Sequence, residues 1–157
     1  MNGDTSTAIG ISSVACVMST DVISVAPNSL IEDAIDVMIE HSISGLPVID
    51  DHGQLIGMIS EYDALQLLLE PPSEVGLVAP VVNFMTRDIV SIPLDTSLDT
   101  VAHMMQSLGV RRLPVVDQGR VVGIVSRRDL IRVVRELRRQ SNFEMLPDED
   151  FGEAQTD

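Results

Sequence analysis

The chain carries the same pattern twice. Met18-Ser19-Thr20-Asp21-Val22-Ile23-Ser24-Val25 returns 67 positions later as Met85-Thr86-Arg87-Asp88-Ile89-Val90-Ser91-Ile92. The same offset carries Leu46-Pro47-Val48-Ile49-Asp50 onto Leu113-Pro114-Val115-Val116-Asp117. One residue fewer in the next turn shortens the offset to 66, where Gly57-Met58-Ile59-Ser60-Glu61-Tyr62-Asp63 meets Gly123-Ile124-Val125-Ser126-Arg127-Arg128-Asp129. A repeat of this period constrains the fold more than composition does, because both copies must form the same unit. Neither copy alone has enough sheet and helix to cover both faces of its apolar segments. Two copies packed together, related by a pseudo-two-fold axis, are therefore expected within 157 residues.

Each copy reads as strand, helix, strand, strand, helix, an α+β unit. Residues 22–25 and 89–92 are short β-rich runs. Ile31, Ala34, Ile35 and Met38 follow the spacing of a buried helix face, and Leu98, Val101, Ala102 and Met105 repeat it. A hairpin follows, from 46–50 through Asp51-His52-Gly53 into 55–59; the second copy turns through Gln118-Gly119. Closing helices are expected at 61–69 and 127–140, the first stopped by Pro71-Pro72. Four capping boxes precede the predicted helices: Ser29-x-x-Glu32, Ser60-x-x-Asp63, Thr96-x-x-Asp99 and Ser126-x-x-Asp129. These signals divide the chain into a flexible segment 1–15, a first copy 16–69, a linker 70–83, a second copy 84–140 and an acidic, mobile tail 141–157. The apolar stretch 77–82 of the linker is suited to packing on the surface.

Charge is unevenly shared. Residues 1–86 hold 12 acids and no Lys or Arg, whereas all ten basic residues, every one Arg, fall in 87–157. A formal charge of −14 opposes general binding to nucleic acid or to an anionic membrane. Any phosphate held by the chain should be met by its second half. There is no basic leader and no apolar run of membrane-spanning length, so a cytoplasmic protein is expected. The single Cys16 reads as a small buried hydrophobe. His41, His52 and His103 are scattered without metal-ligand spacing and read as surface or helix-end residues. Met38, Met104 and Met105 read as packing residues. No P-loop, metal cluster or nucleophile–base arrangement is present, which argues against an enzyme.

The tandem order, with a Leu-Pro-Val hairpin strand and Gly-x-x-Ser-x-x-Asp entering the last helix of each copy, resembles the CBS (cystathionine-β-synthase) domain over 16–69 and 84–137. The resemblance implies a tandem pair, a Bateman module spanning 16–140, with two clefts that accept AMP, ADP, ATP or S-adenosylmethionine and require no cofactor. It implies further that one cleft draws on Ser60 and Asp63 with Thr86, Ile89 and Val90. The other would draw on Ser126 and Asp129 with Thr20, Val22 and Ile23. In this family the Asp binds ribose hydroxyls and the Ser lies near ribose or phosphate. Such modules commonly form homodimers that regulate a partner protein. A ligand-free dimeric scaffold is the alternative.

Elementary chemistry is compatible with these roles. A helix start offers unpaired N–H groups and partial positive charge to a phosphate. An ionised Asp matches the two donors of a diol. Tyr62 and Arg128, which follow the same Ser by two residues, are suited to stacking on a purine. Arg111 and Arg112, before the second Leu-Pro, and Arg127 and Arg128, beside the second Ser/Asp pair, are the candidate phosphate ligands. The plainer readings are that Ser/Asp pairs are helix caps and that Arg127 and Arg128 extend a solvated face with Arg132, Arg135, Arg138 and Arg139. Leu130, Val133, Val134 and Leu137 form the opposite, apolar stripe, suited to a core or a dimer interface. The first copy has Ser44-Gly45 and Glu61-Tyr62 where the second has its arginines, so the clefts should be unequal. Sequence alone leaves open which Arg serves which cleft.

Overall fold

A computed structural model describes residues 13–69 and 78–144, with side chains as far as residue 141. The expected stop at Pro71-Pro72, Leu77 of the apolar stretch, the first twelve residues and the acidic tail from 145 lie outside the described residues.

The first repeat comprises helix α1 (Ile31–Glu40), strands β1 (Gly45–Ile49) and β2 (Leu55–Ser60), and helix α2 (Glu61–Leu69). The second comprises β3 (Ile92–Pro93), α3 (Leu98–Leu108), β4 (Arg112–Asp117), β5 (Arg120–Ser126) and α4 (Arg127–Glu144). β1 and β2 form one antiparallel hairpin, and β4 and β5 form another, with β3 parallel on its edge. The second hairpin turns through Gln118 and Gly119, both at positive φ, the conformation a two-residue turn needs to match strand twist. In the longer first turn Asp50 Oδ1 accepts from the N–H of His52 and Gln54, both at 2.9 Å.

Each repeat has its own interior. The first contains Val25, Ile31, Ala34, Met38, Leu46, Val48 and Ile59, joined by Val81 and Met85 from the second half of the chain. The second contains Ile92, Val101, Met105, Leu113, Val115 and Val125, joined by Val14, with Met18 packed against it. The two leading segments are therefore exchanged. Short 3₁₀ turns at Val14–Cys16 and Val81–Asn83 each insert a fully buried valine into the opposite repeat. Apolar side chains so enclosed contribute on the order of 1.5–3 kcal/mol each, which holds the halves together. Val14 lies at the end of the stretch read as flexible, and Val81 within the stretch read as linker. Cys16 is exposed, correcting the expectation that it is buried, because Val14 takes the inward position of that turn.

The exchange also explains why the first strand of each repeat is shorter than expected. Ser19 pairs with Ile124 and Thr86 with Met58, each across the repeat boundary. Only the end of each run returns to its own sheet: Val25 bridges Val48, and Ile92 and Pro93 form β3. Two expected caps are absent for a related reason. At α1 the Ile31 N–H donates to Ala79 O (3.0 Å) and Val81 N–H to Ser29 O (2.7 Å), so linker backbone takes the place of a Ser29 side-chain cap. α3 starts one residue later than the Thr96 box requires. Ser97 caps it by accepting from Thr100 N–H, while Thr96 Oγ1 donates to Pro93 O.

The helix faces follow the periodicity. Ile31, Ala34, Met38, Val101 and Met105 are buried, and Met104 packs on the second interior. The three histidines are exposed. On the closing helices Ala64, Leu67 and Leu130 cover the interiors. Leu65 and Leu68, and their counterparts Ile131 and Val134, remain exposed. No helix among the described residues is long and apolar enough to cross a membrane.

Candidate functional site

A cleft of about 870 Å³ opens where the leading segment of the first repeat meets the end of β5. The first repeat supplies Ser19, Asp21, Val22 and Ile23, then Ser42, Ile43, Ser44 and Gly45, and finally Glu61. The second supplies Arg111, Arg112, Ile124, Ser126, Arg127, Arg128, Asp129 and Arg132. Ser19 is fixed by a reciprocal pair of backbone bonds: its N–H donates to Ile124 O at 2.8 Å, and the Ile124 N–H returns to Ser19 O at 2.9 Å. Val22 and Ile23 thereby provide an apolar wall opposite the start of α4.

That helix start is a closed capping box. Asp129 Oδ2 accepts from the Ser126 N–H (2.7 Å) and Ser126 Oγ (2.9 Å), while the Asp129 N–H donates back to Ser126 Oγ (3.3 Å). One carboxylate oxygen thus serves the cap. The other, Oδ1, faces Arg132 Nη1 at 3.5 Å. Cap and ligand contact are compatible in this geometry because they call on different oxygens.

The first repeat builds the same box. Asp63 Oδ2 accepts from the Ser60 N–H and Ser60 Oγ, both at 2.8 Å. Thr86 is paired with Met58, two residues before Ser60 on β2. Ser60, Tyr62, Asp63, Thr86, Ile89 and Val90 thus occupy positions equivalent to those around Asp129 and do not line the Arg-rich cleft. Tyr62 is 75% exposed, Val90 exposed and Ile89 half-buried. Thr20 is exposed beside Ser19 and is not part of the cleft wall.

Charge separates the two sites. Arg111, Arg112, Arg127, Arg128 and Arg132 all line the Asp129 cleft, against the acids Asp21, Glu61 and Asp129. The arginines are not equally free. Arg112 lies between the repeats and donates from Nη1 to Gly45 O (3.0 Å) and from Nη2 to Ser44 Oγ (3.3 Å), while its buried Nε has no partner among the described residues. Burial pushes its pKa down, nearby Glu61 and then Asp129 oppose this, and Arg111 adds to it. Gly45 is the position in the first repeat that matches Arg112, so the guanidinium ties one hairpin strand to its own counterpart. Arg127 Nε donates to Val110 O at 3.1 Å. The guanidinium groups of Arg111 and Arg128 make no hydrogen bond or ion pair among the described residues, although Arg111 O accepts from the Arg127 N–H at 2.9 Å.

Glu61 stands in the cleft wall, where it moderates the arginine field, and not beside its own Asp63 alone. Arg132, read as part of a solvated face, also faces the cleft, whereas Arg135, Arg138 and Arg139 do not line it. The sequence signal that identifies Arg132 is its spacing: four residues from Arg128 and three from Asp129, both on the same helix face.

The family model described as CBS domain matches residues 12–70 and again 81–136. The CBS domain-containing protein YhcV of Bacillus subtilis is 36% identical over 119 residues, 76% of this chain and 83% of that protein. The chain spans smaller parts of two longer proteins of Methanocaldococcus jannaschii. It covers 41% of protein MJ1225 (34% identical over 118 residues, 75% of this chain) and 22% of an inosine-5'-monophosphate dehydrogenase (35% over 117 residues, 74% of this chain). Among solved structures, the CBS domain pair of protein MJ0100 in complex with 5'-methylthioadenosine and S-adenosyl-L-methionine superposes with a TM-score of 0.70 at 31% identity, covering 80% of this chain and 98% of the other. CBSX2 in complex with AMP gives 0.71 at 30%, covering 82% and 99%.

Proposed function

Taking as premise that this chain belongs to the CBS-domain family as a tandem pair, we propose that it is a regulatory module that binds an adenosine-containing ligand between its repeats. The observation that carries this reading is the juxtaposition of a capped helix start whose second Asp129 oxygen lies outside the cap, the Arg111 and Arg128 guanidinium groups, and the apolar Val22–Ile23 wall of the opposite repeat. The Asp129 carboxylate is the acceptor for a ribose diol, Arg111 and Arg128 are the donors for phosphate, and Val22 and Ile23 flank the base. The adenosine compounds held by the solved CBS pairs that this chain resembles support the same chemical class. The ligand acts as a signal by favouring one arrangement of the repeats over another, which requires unequal affinity for the two.

The module pairs with a second copy of itself. The exposed Leu65 and Leu68 stripe on α2 and the Ile131 and Val134 stripe on α4 offer matched apolar surfaces. Sedimentation equilibrium should give twice the 17.1 kDa chain mass, and a 17.1 kDa species would overturn the pairing.

The function itself is tested by thermal unfolding of the full chain with AMP, ADP, ATP, S-adenosylmethionine and NAD, each with and without magnesium. A ligand that binds only the folded state at a hundred times its Kd adds about 2.7 kcal/mol. At least one adenosine compound is expected to raise Tm. If none does and the chain still dimerises, a ligand-free scaffold replaces the sensor.

A further inference from the structure

We infer that Arg132 makes recognition of the ligand's diol conditional on its phosphate, so that the Arg-rich cleft selects phosphorylated adenosine ligands over adenosine itself. This rests on the reading of that cleft as an adenosine-ligand site.

Asp129 has one oxygen already committed. Oδ2 closes the capping box through two bonds from Ser126, which leaves Oδ1 as the acceptor for a ribose diol. Arg132 Nη1 stands 3.5 Å from that oxygen, and Arg132 itself lines the cleft. A diol must therefore displace a guanidinium. A neutral nucleoside offers the displaced charge no new partner. A phosphorylated one does, because Arg132 can turn to the anion beside Arg128, one helical turn away on the same face, and Arg111. Phosphate binding and release of the Asp129 oxygen are then one event.

The first repeat lacks this arrangement. Asp63 Oδ2 is committed in the same way. The position matching Arg132 is Gln66, and α2 carries no basic residue. α2 therefore sets no cation against Asp63 Oδ1 and offers none to a phosphate. The two sites differ in what they ask of a ligand as well as in net charge.

The test places the first repeat's residue in the second. ADP and adenosine are titrated into the full-length chain and its Arg132→Gln and Arg132→Lys variants, followed by NMR at the backbone amides of Ser126 and Asp129 so that this cleft is read. The wild-type chain should bind ADP more tightly than adenosine. In Arg132→Gln, adenosine should bind about two- to five-fold more tightly, the range set by an exposed ion pair. ADP should bind roughly ten-fold more weakly, from loss of a charge-assisted bond. The preference for ADP therefore falls, and Arg132→Lys restores it. Loss of both ligands in equal proportion, or wild-type adenosine binding as tight as ADP, overturns the inference while leaving the site intact. Absence of any response to either ligand in the wild-type chain instead overturns the adenosine-site reading, and this inference with it.

Discussion

Ser19 and Ile124 exchange both of their backbone hydrogen bonds across the repeat boundary, at 2.8 and 2.9 Å, so the wall of the cleft and the strand leading to its helix start form one ladder. The next residue toward the strand's start, Gly123, is where this closeness is made possible. A β-carbon there would run into the Met18 sulfur and come within 3.0 Å of Ser19 O. Gly57 is in the matching position, with Met85 and Thr86 O at 3.1 Å.

Gly123→Ala should therefore cost about 1–3 kcal/mol, as over-packing typically does. Gly57→Ala should cost a similar amount. Urea midpoints at unchanged m-value check both. In the Gly123 variant the shift of Ser19 should also weaken nucleotide binding.

Ser42 should be a destabilising residue in its present place. It follows the end of α1 at φ 52°, where its counterpart in the second repeat is Gly109 at φ 66°. Left-handed backbone costs a side-chain-bearing residue about 1–2 kcal/mol, and part of that is offset by glycine's greater freedom when unfolded. Ser42→Gly should raise stability by roughly 0.5–1 kcal/mol, and Gly109→Ala should lower it, both read from denaturant curves.

Arg112→Met should destabilise the pair by about 1–3 kcal/mol, because it strands the Gly45 carbonyl and the Ser44 hydroxyl of the other repeat. Relief of guanidinium burial offsets some of the loss. Arg112→Lys should recover less than half of the deficit, since one ammonium cannot reproduce a planar fork that reaches two acceptors. Equal urea midpoints for the wild-type chain and its Arg112→Lys variant would contradict this geometry.

Asp129→Ala and Asp63→Ala should each lose about 1 kcal/mol of stability with their capping boxes. Their effects on ligand should diverge. AMP or ADP affinity should fall further in Asp129→Ala, because five arginines line that cleft whereas α2, which carries Asp63, has none. Calorimetric titration showing equal losses would argue that the clefts are equivalent.

Much of this architecture is written locally and was therefore readable. The 67-residue offset, the i, i+3, i+4 faces around Ile31 and Val101, and the turn at Gln118-Gly119 depend on neighbouring residues, whose chemistry suffices to specify them. What depended on distant partners was less accessible. The Ser29 and Thr96 boxes match the pattern of caps, but linker backbone from Ala79 occupies the first helix start and Ser97 the second. The exchange of Val14 and Val81 could have been seen by extending the repeat backward. Val14 and Met18 recur as Val81 and Met85 at the same offset, four residues apart within a pair. At the site, the Ser/Asp pairs were recognisable as caps and as ligand candidates alike. The gathering of Arg111, Arg128 and Arg132 into one cleft required the three-dimensional approach of β4 to α4.

The crossed valines also impose an order on synthesis. The first interior can close once Met85 has left the ribosome, because everything it needs lies upstream. Val14, by contrast, is made ahead of the first interior and finds its destination only after Val125 has been made. Between Met85 and Val125 the nascent chain therefore carries an apolar hook ahead of an already finished half. Its solubility during that interval depends on how soon the second half arrives to receive it.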